Sequence, residues 1–137
     1  MKNLIASALA AAMLFMGNPV TEGDAAAGTL LSHRQETWRA ALEWCESRGD
    51  PGAVNPKDRD GTPSYYSFQF KPSTFKSFGE RYGIIEKGLE IQEIKERMKD
   101  YQITLKIVEA MILDQKNINW ENEFPGCVKK LGRPPKN

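Results

Sequence analysis

One acidic side chain stands where it could transfer a proton. Glu46 lies between Cys45 and the turn-forming run Ser47-Arg48-Gly49-Asp50-Pro51, at the end of an amphipathic stretch. Burial disfavours an ionised carboxylate, so a glutamate among apolar groups can keep its proton near neutral pH. Trp44 and Cys45 are such neighbours, and the aromatic run over 65–70 could form a facing wall. The alternative interpretation is a solvated charge at a helix end.

A glutamate that keeps its proton suits the cleavage of a glycosidic bond, because the leaving oxygen must receive a proton. No second carboxylate stands at a comparable place in the sequence. Asp50 follows one helical turn later, but Pro51 makes that turn irregular, and Asp58 and Asp60 are expected to serve the turns of a long loop. The pattern therefore argues against a pair of carboxylates of the retaining type.

Side chains suited to sugar binding follow on one stretch of the chain. Sugar recognition needs flat apolar faces for the rings and fixed hydrogen-bonding groups for their substituents. Tyr65, Tyr66, Gln69 and Thr74 provide both kinds of group. Trp120 could also stack on a sugar, although packing in the core explains Tyr65 and Trp120 equally well.

The first element that must position these residues is a helix over 36–45. Its apolar face has the i, i+3, i+4, i+7 spacing of an amphipathic helix and consists of Trp38, Ala41, Leu42 and Cys45. The helix is predicted to end near Gly49, since Pro51 disfavours helix at the residue before it. Residues 50–64 contain three prolines and two glycines and are predicted to be loop.

The remaining elements are predicted from composition and periodicity. The aromatic run over 65–70 has a composition typical of a strand. Residues 71–78 are predicted to form a turn followed by a short helix that ends at Gly79. An apolar stripe with steps of three and four then predicts helix in the C-terminal half, and it comprises Ile91, Ile94, Met98, Tyr101, Leu105, Val108 and Ile112. Whether this stripe is one helix or two stays open at Asp100.

The first 27 residues have the layout of a secretory signal peptide. Lys2 precedes an uncharged apolar run over 4–16 that is too short to span a bilayer as a helix, and Ala25 and Ala27 offer a cleavage site. An uncleaved membrane anchor is the alternative. We expect a secreted, periplasmic or cell-wall-associated protein whose mature form has no stable membrane span.

Length and charge narrow the possible functions further. The chain of 137 residues with net charge +1 predicts one domain over 28–131 without a strongly charged partner. Residues 132–137 are predicted to form a flexible basic tail. Their Gly-Arg-Pro sequence resembles a minor-groove DNA-binding hook, but an exported protein rarely meets DNA, so no nucleic acid partner is expected.

The two cysteines, Cys45 and Cys127, can bridge in an oxidising compartment. Such a bridge would close a loop worth about 4.5 kcal/mol by the chain-entropy relation. Neither cysteine lies in a metal-ligand cluster, and the only histidine, His33, is predicted to be a surface residue. The run 58–61 resembles part of a calcium loop, but the first and twelfth positions lack the required carboxylates. The sequence therefore predicts no metal and no cofactor.

Taken in order, these motifs resemble a known family. Glu46-Ser47-Arg48-Gly49, Asn55-Pro56, the runs 60–70 and 72–75, and the tryptophan-to-cysteine ending over 120–127 are similar to the core of the lysozyme-like lytic transglycosylases. The chain looks most like the transglycosylase-like domain of the resuscitation-promoting factors. Those proteins also set a cysteine directly before the glutamate and a second one near the end of the domain.

The resemblance implies a mainly α, α+β lysozyme-like fold, in which a short β-like aromatic segment lies beside a glycan-binding cleft. It implies that Glu46 is the catalytic acid and that Gln69 and Thr74 contact substrate. The expected reaction is cleavage of the β-1,4 bond between N-acetylmuramic acid and N-acetylglucosamine in peptidoglycan glycan strands. The substrate's N-acetyl group would assist, and the product could be a 1,6-anhydro end or a reducing end.

Two expectations qualify this resemblance. The family usually has glycines where this chain has Tyr66-Ser67, so larger side chains are expected to narrow the groove or reshape the turn there. A non-catalytic glycan-binding module of the same fold is the alternative function, and it would have no need of Glu46. We expect the protein to act as a monomer.

Overall fold

The structure is a computed structural model that describes residues 30–137. The signal peptide predicted over 1–27 lies outside these residues. The described part of the chain contains six α-helices, one short 3₁₀ helix and a two-stranded sheet, which confirms the prediction of a mainly helical domain. Over the same residues, none of the helices combines the length and apolar character needed to cross a bilayer.

Helix α1 spans His33–Ser47 and has a defined signal at each end. At its start, the Ser32 hydroxyl accepts from the Gln35 backbone N–H at 3.3 Å, and the Gln35 side chain accepts from Ser32 N at 3.0 Å, which is a capping box. Arg48 ends the helix in the left-handed conformation, with φ 58°. The predicted end near Gly49 is therefore correct to within one residue.

A small sheet follows, formed by β1, Val54–Asn55, and β2, Ser64–Tyr65, which pair antiparallel. The prediction of an unbroken loop over 50–64 is wrong at β1 and at Ser64, which begins β2. A two-residue strand is too short to show alternation, and its pairing depends on a turn that reverses the chain. The Asp58 N–H donates to the Thr62 carbonyl at 3.0 Å within that turn.

The aromatic run does not continue as a strand beyond β2. The chain reverses again, so that the backbone groups of Tyr65 and Phe70 bond each other at 3.0 and 3.1 Å. Tyr66 and Gln69, inside this second turn, both have positive φ, at 65° and 51°. The reversal buries Phe68 and Phe70 in the core, while Tyr65 and Tyr66 stay half-buried.

Helices α2, Pro72–Arg81, α3, Ile91–Met98, and α4, Tyr101–Leu113, form the next layer. The stripe of the C-terminal half is two helices, because Asp100 caps α4 by accepting from the Gln102 N–H at 2.9 Å. Gly79 does not end a helix as predicted. It is buried inside α2, where a Cβ atom would lie 2.8 Å from Cγ1 of Ile85, so close packing accounts for the glycine.

The C-terminal elements close the core against α1. They are a 3₁₀ turn at Gln115–Asn117, α5, Trp120–Glu123, and α6, Pro125–Leu131. The rings of Trp38 and Trp120 meet edge to face with centroids 5.2 Å apart. The Cys45–Cys127 disulfide, with Cα atoms 5.8 Å apart, ties the end of α1 to α6 and confirms the expected pairing.

The structure differs from the flexible tail predicted over 132–137. The indole N–H of Trp38 donates to the Gly132 carbonyl at 3.1 Å. The side-chain amides of Gln35 and Gln115 both donate to the Pro135 carbonyl, at 3.2 and 3.0 Å. Gln35 is only 1% exposed, so this amide needs an acceptor from the tail, and the backbone of the segment is held for that reason.

Candidate active site

Glu46 occupies the last turn of α1, at a point where the chain is held from two sides. Its neighbour Cys45 is bonded to Cys127 of α6. Its other neighbour, Ser47, is buried and donates from its hydroxyl to the Glu43 carbonyl at 3.1 Å. Because both flanking residues are fixed, the backbone that carries Glu46 has little freedom to move its carboxyl away.

The surroundings of Glu46 favour its protonated form. The side chain is half-buried, and no group among the described residues donates a hydrogen bond to its carboxyl. Loss of solvent raises the pKa of Glu46 from 4.5 to about 7, and the negative charge of Asp58 adds to the rise. Near neutral pH a substantial fraction of the molecules therefore carries the proton that a general acid must donate.

Asp58 was not identified as a site residue from the sequence. The expectation that it serves a turn is correct, because its carbonyl accepts from the Gly61 N–H at 2.8 Å and its carboxylate accepts from the Arg59 N–H at 2.7 Å. The same turn brings its charge within electrostatic range of Glu46. The sequence did not indicate that this charge acts on Glu46. Only the hairpin pairing, which short strands do not reveal in sequence, could have indicated it.

The loop that carries Asp58 is tied to the start of α2. Asp60 forms an ion pair with Lys71, directly before that helix, and accepts from the Thr62 hydroxyl at 2.6 Å and from the Thr62 N–H at 3.0 Å. The hydrogen bond from Lys71 is the main cause that lowers the pKa of the Asp60 carboxyl. Asp60 thus stays ionised and anchors the loop.

A polar groove of about 350 Å³ runs between this loop and α5. Its lining carries both signs of charge and comprises Asp58, Arg59, Asp60, Lys71, Glu121, Asn122, Glu123 and Pro125. Alternating donors and acceptors of this kind suit a ligand rich in hydroxyl and amide groups. Asp58 belongs both to this groove and to the electrostatic environment of Glu46, so it links the groove to the candidate acid.

The two tyrosines predicted to bind sugar line a second groove, of about 190 Å³, between the hairpin and α3. The ring centroids of Tyr65 and Tyr66 are 5.6 Å apart. The helix side of this tyrosine groove consists of Gln92, Lys95, Glu96, Met98 and Lys99. Glu46 is not among the lining residues, so the structure does not bring the tyrosines and the candidate acid into one lined groove.

The other predicted contacts have different environments. Gln69 uses its side chain inside the protein: its amide donates to the carbonyls of Tyr66 and Ala53 at 2.8 and 3.1 Å, and its oxygen accepts from the Ser64 hydroxyl at 3.1 Å. The side chain of Gln69 therefore stabilises the hairpin turn. Thr74 lies half-buried in the first turn of α2.

Trp120 is a core residue, and its prediction as a sugar-stacking residue is corrected. It is 1% exposed, and its indole N–H donates to the Gln115 carbonyl at 3.1 Å. The exposed tryptophan is Trp44, which leaves 59% of its surface in solvent with the Arg48 guanidinium 5.9 Å from its ring centroid. Trp44 was expected to shield Glu46, but two residues along a helix place side chains on nearly opposite sides.

Comparison of the chain with protein-family models, with curated proteins and with solved structures finds no match. Among residues 30–137, no three histidine, cysteine, aspartate or glutamate side chains gather into a group that could hold a metal ion. The candidate site therefore consists of Glu46, of Asp58 and of the polar groove that Asp58 lines, and Glu46 itself lines neither of the two grooves.

Proposed function

We propose that this protein cleaves the β-1,4 glycosidic bond between N-acetylmuramic acid and N-acetylglucosamine in peptidoglycan, with Glu46 as general acid. The observation that carries the proposal is the half-buried carboxyl of Glu46, whose pKa rises to about 7 at a fixed helix end. Glycosidase acids require this property, since an ordinary glutamate has lost its proton at neutral pH.

In the proposed reaction, Glu46 donates its proton to the bridging oxygen while the bond from that oxygen to C1 of the muramyl sugar breaks. The 2-acetamido oxygen of that sugar bonds to C1 and takes up the positive charge. The Glu46 carboxylate then accepts a proton from water or from the sugar's own C6 hydroxyl. The oxygen of that group bonds to C1 as the bond from C1 to the acetamido oxygen breaks, which restores the neutral acetamido group. Water gives a reducing end and the C6 hydroxyl gives a 1,6-anhydro end. Either outcome regenerates the protonated acid.

Asp58 contributes by its charge. A second carboxylate near Glu46 opposes ionisation of the acid, as like charges do at short range. The tie between Asp60 and Lys71 holds the loop that presents it. In this proposal Asp58 is a positioning residue, acting on the proton of Glu46 and not on the sugar.

The fold supports the proposal in outline. A helix that ends in the acid, a short two-stranded hairpin directly after it and a helical remainder are compatible with a lysozyme-like arrangement, which we propose for this domain. The disulfide supports export, because cysteine pairs persist in oxidising compartments. Peptidoglycan lies in such compartments.

The test is mass analysis of the muropeptides released from purified peptidoglycan by the wild-type protein and by Glu46→Gln. We expect release by the wild type and none by the variant, and the masses separate anhydro from reducing ends. Glu36→Gln is the matched control, because Glu36 is exposed in the first turn of the same helix. Equal release by the wild type and Glu46→Gln would overturn the assignment of the acid.

One observation favours a second function, a glycan-binding module without catalysis. The tyrosine groove is lined without Glu46, so a strand could bind there and remain uncut. In that case the wild type and Glu46→Gln would both sediment with insoluble peptidoglycan, and neither would release fragments.

A further inference from the structure

The tyrosine groove contains a strained residue. Tyr66 has φ 65°, a left-handed conformation that disfavours aromatic side chains and that glycine adopts freely. Its backbone is held there because its N–H donates to the Ala53 carbonyl at 2.6 Å and its carbonyl accepts from the Gln69 backbone and side chain at 3.1 and 2.8 Å. A glycine would make the same three bonds without strain, so the hairpin itself does not call for a tyrosine.

The side chain of Tyr66 gives a reason for the strain. It is half-buried, tilts by 47° against the ring of Tyr65 and lines the groove opposite α3. Strained backbone persists where the surrounding structure over-determines it, and such residues concentrate at binding sites. Two adjacent phenol rings give the groove an apolar wall of the kind on which a sugar ring stacks.

The opposite wall carries an excess of positive charge. Lys99 and Glu96 form an ion pair at 2.8 Å and offset each other. Lys95 forms no ion pair with any described residue, although it is half-buried and lines the same groove. The groove thus combines an aromatic wall with one ammonium group free to pair with an anion.

We propose that the tyrosine groove binds a muramyl residue whose lactyl carboxylate is free, with the sugar ring on Tyr66 and the carboxylate on Lys95. This inference rests on the proposed function, since it names the part of the glycan that this groove selects. Strands from which the stem peptides have been removed carry such carboxylates, whereas chitooligosaccharides have the same backbone without them. The groove should therefore distinguish these two polymers by charge.

The test measures binding of both ligands by calorimetry, using the full chain with Glu46→Gln so that neither ligand is cut. We expect the peptide-free strands to bind about tenfold more tightly than a chitooligosaccharide of equal length, with the preference shrinking as salt rises. Lys95→Gln should abolish the preference. Lys106→Gln, an equal change of charge at an exposed position of α4, should keep it.

Tyr66→Gly tests the aromatic wall. Because relief of strain opposes the loss of ring packing, we expect its melting temperature to stay within a few degrees of the parent while affinity for both ligands falls about tenfold. Tyr66→Asn, a residue also tolerant of positive φ, serves if the glycine variant fails to fold. Unchanged affinity in the folded variant, a preference kept by Lys95→Gln, or equal binding of both ligands would overturn the proposal.

The two proposals fail separately. If the wild type releases muropeptides but the groove variants bind as the parent does, the groove assignment is wrong and the catalytic one stands. If the groove variants behave as expected but the wild type releases nothing, the catalytic assignment is wrong and the groove remains a glycan-binding site.

Discussion

Replacing Glu46 by glutamine should remove a pH-dependent penalty on folding. The pKa of Glu46 is about 7 in the folded protein against an ordinary 4.5. The unfolded chain therefore gives up this proton first, and folding is penalised progressively as pH rises from the unfolded value through the folded one. At about 1.36 kcal/mol per pKa unit, the full penalty is about 3 kcal/mol, present above pH 7 and absent well below 4.5.

Thermal unfolding followed by circular dichroism from about pH 4 to pH 8 measures this penalty. Glutamine is neutral throughout, so the variant should melt close to the wild type at the acid end and on the order of 10 °C above it at the alkaline end. Muralytic activity of the wild type should decline in the same range, as Glu46 loses the proton that it donates. The variant should be inactive at every pH.

Two melting curves that run parallel across the whole range would refute the reasoning. They would mean that Glu46 ionises in the folded protein as it does in the unfolded chain, and that its carboxyl is solvated. Glu36→Gln, at the exposed start of the same helix, should follow the wild type at every pH. A difference between Glu36→Gln and the wild type that grows as pH rises would show that the effect does not belong to Glu46.

Three further changes have outcomes set by the structure. Asp58→Asn keeps an acceptor for its turn but removes a charge that raises the pKa of Glu46. The alkaline limb of the pH–activity profile should therefore move to lower pH. A limb that does not move would show that Asp58 has no influence on the acid. Reducing the disulfide between Cys45 and Cys127, which are 82 residues apart, should lower the free energy of unfolding by about 4.5 kcal/mol by the chain-entropy relation. The melting temperature should fall on the order of 10 °C. In the variant with alanine at both positions, the reductant should leave the melting temperature unchanged. Gly79→Ala should lower the melting temperature by several degrees, because its Cβ would lie 2.8 Å from an isoleucine carbon. Gly126→Ala, also helical but with nothing within 4 Å, should raise it by a few degrees; equal shifts from the two glycine variants would contradict the packing argument.

Local signals in the sequence predicted α1 and the helical stripe of the C-terminal half, but not α5 and α6. The apolar face of α1 and the turn residues after it indicate a helix that ends near Gly49, and the left-handed Arg48 lies one residue away. The sequence left open whether the stripe is divided at Asp100, and the structure places a boundary there because that side chain caps α4. Such features depend on residues within one or two turns of each other, so their spacing is visible in the chain.

Features that depend on distant partners could not be predicted in this way. Gly79 looks like a helix end, yet it is buried in α2 because Ile85 and Ile107 approach it. Trp120 looks like a sugar-binding residue until the ring of Trp38 is found packed against it. Both residue types have two common structural roles. Tertiary packing determines which role each residue has, and no local sequence pattern shows that packing.

In the candidate site, too, residues fixed by sequence neighbours could be predicted and residues that depend on distant partners could not. Glu46 could be found because its neighbours in sequence, a cysteine and a turn, are also what fix it in space. Asp58 could not be found, since it acts on Glu46 from across a hairpin whose strands have two residues each. Gln69 was predicted to contact substrate, but its amide donates to the carbonyl of Tyr66 in its own turn and to that of Ala53, directly before β1.

The hairpin after α1 connects the two proposals. Its first turn presents the charge of Asp58 to the acid, and its second turn, closed by Gln69, holds Tyr66 in a conformation that costs free energy. The acid itself belongs to a helix end locked by a disulfide. Since the pKa of Glu46 depends on burial and on Asp58, a change in the turn that carries Asp58 should change that pKa.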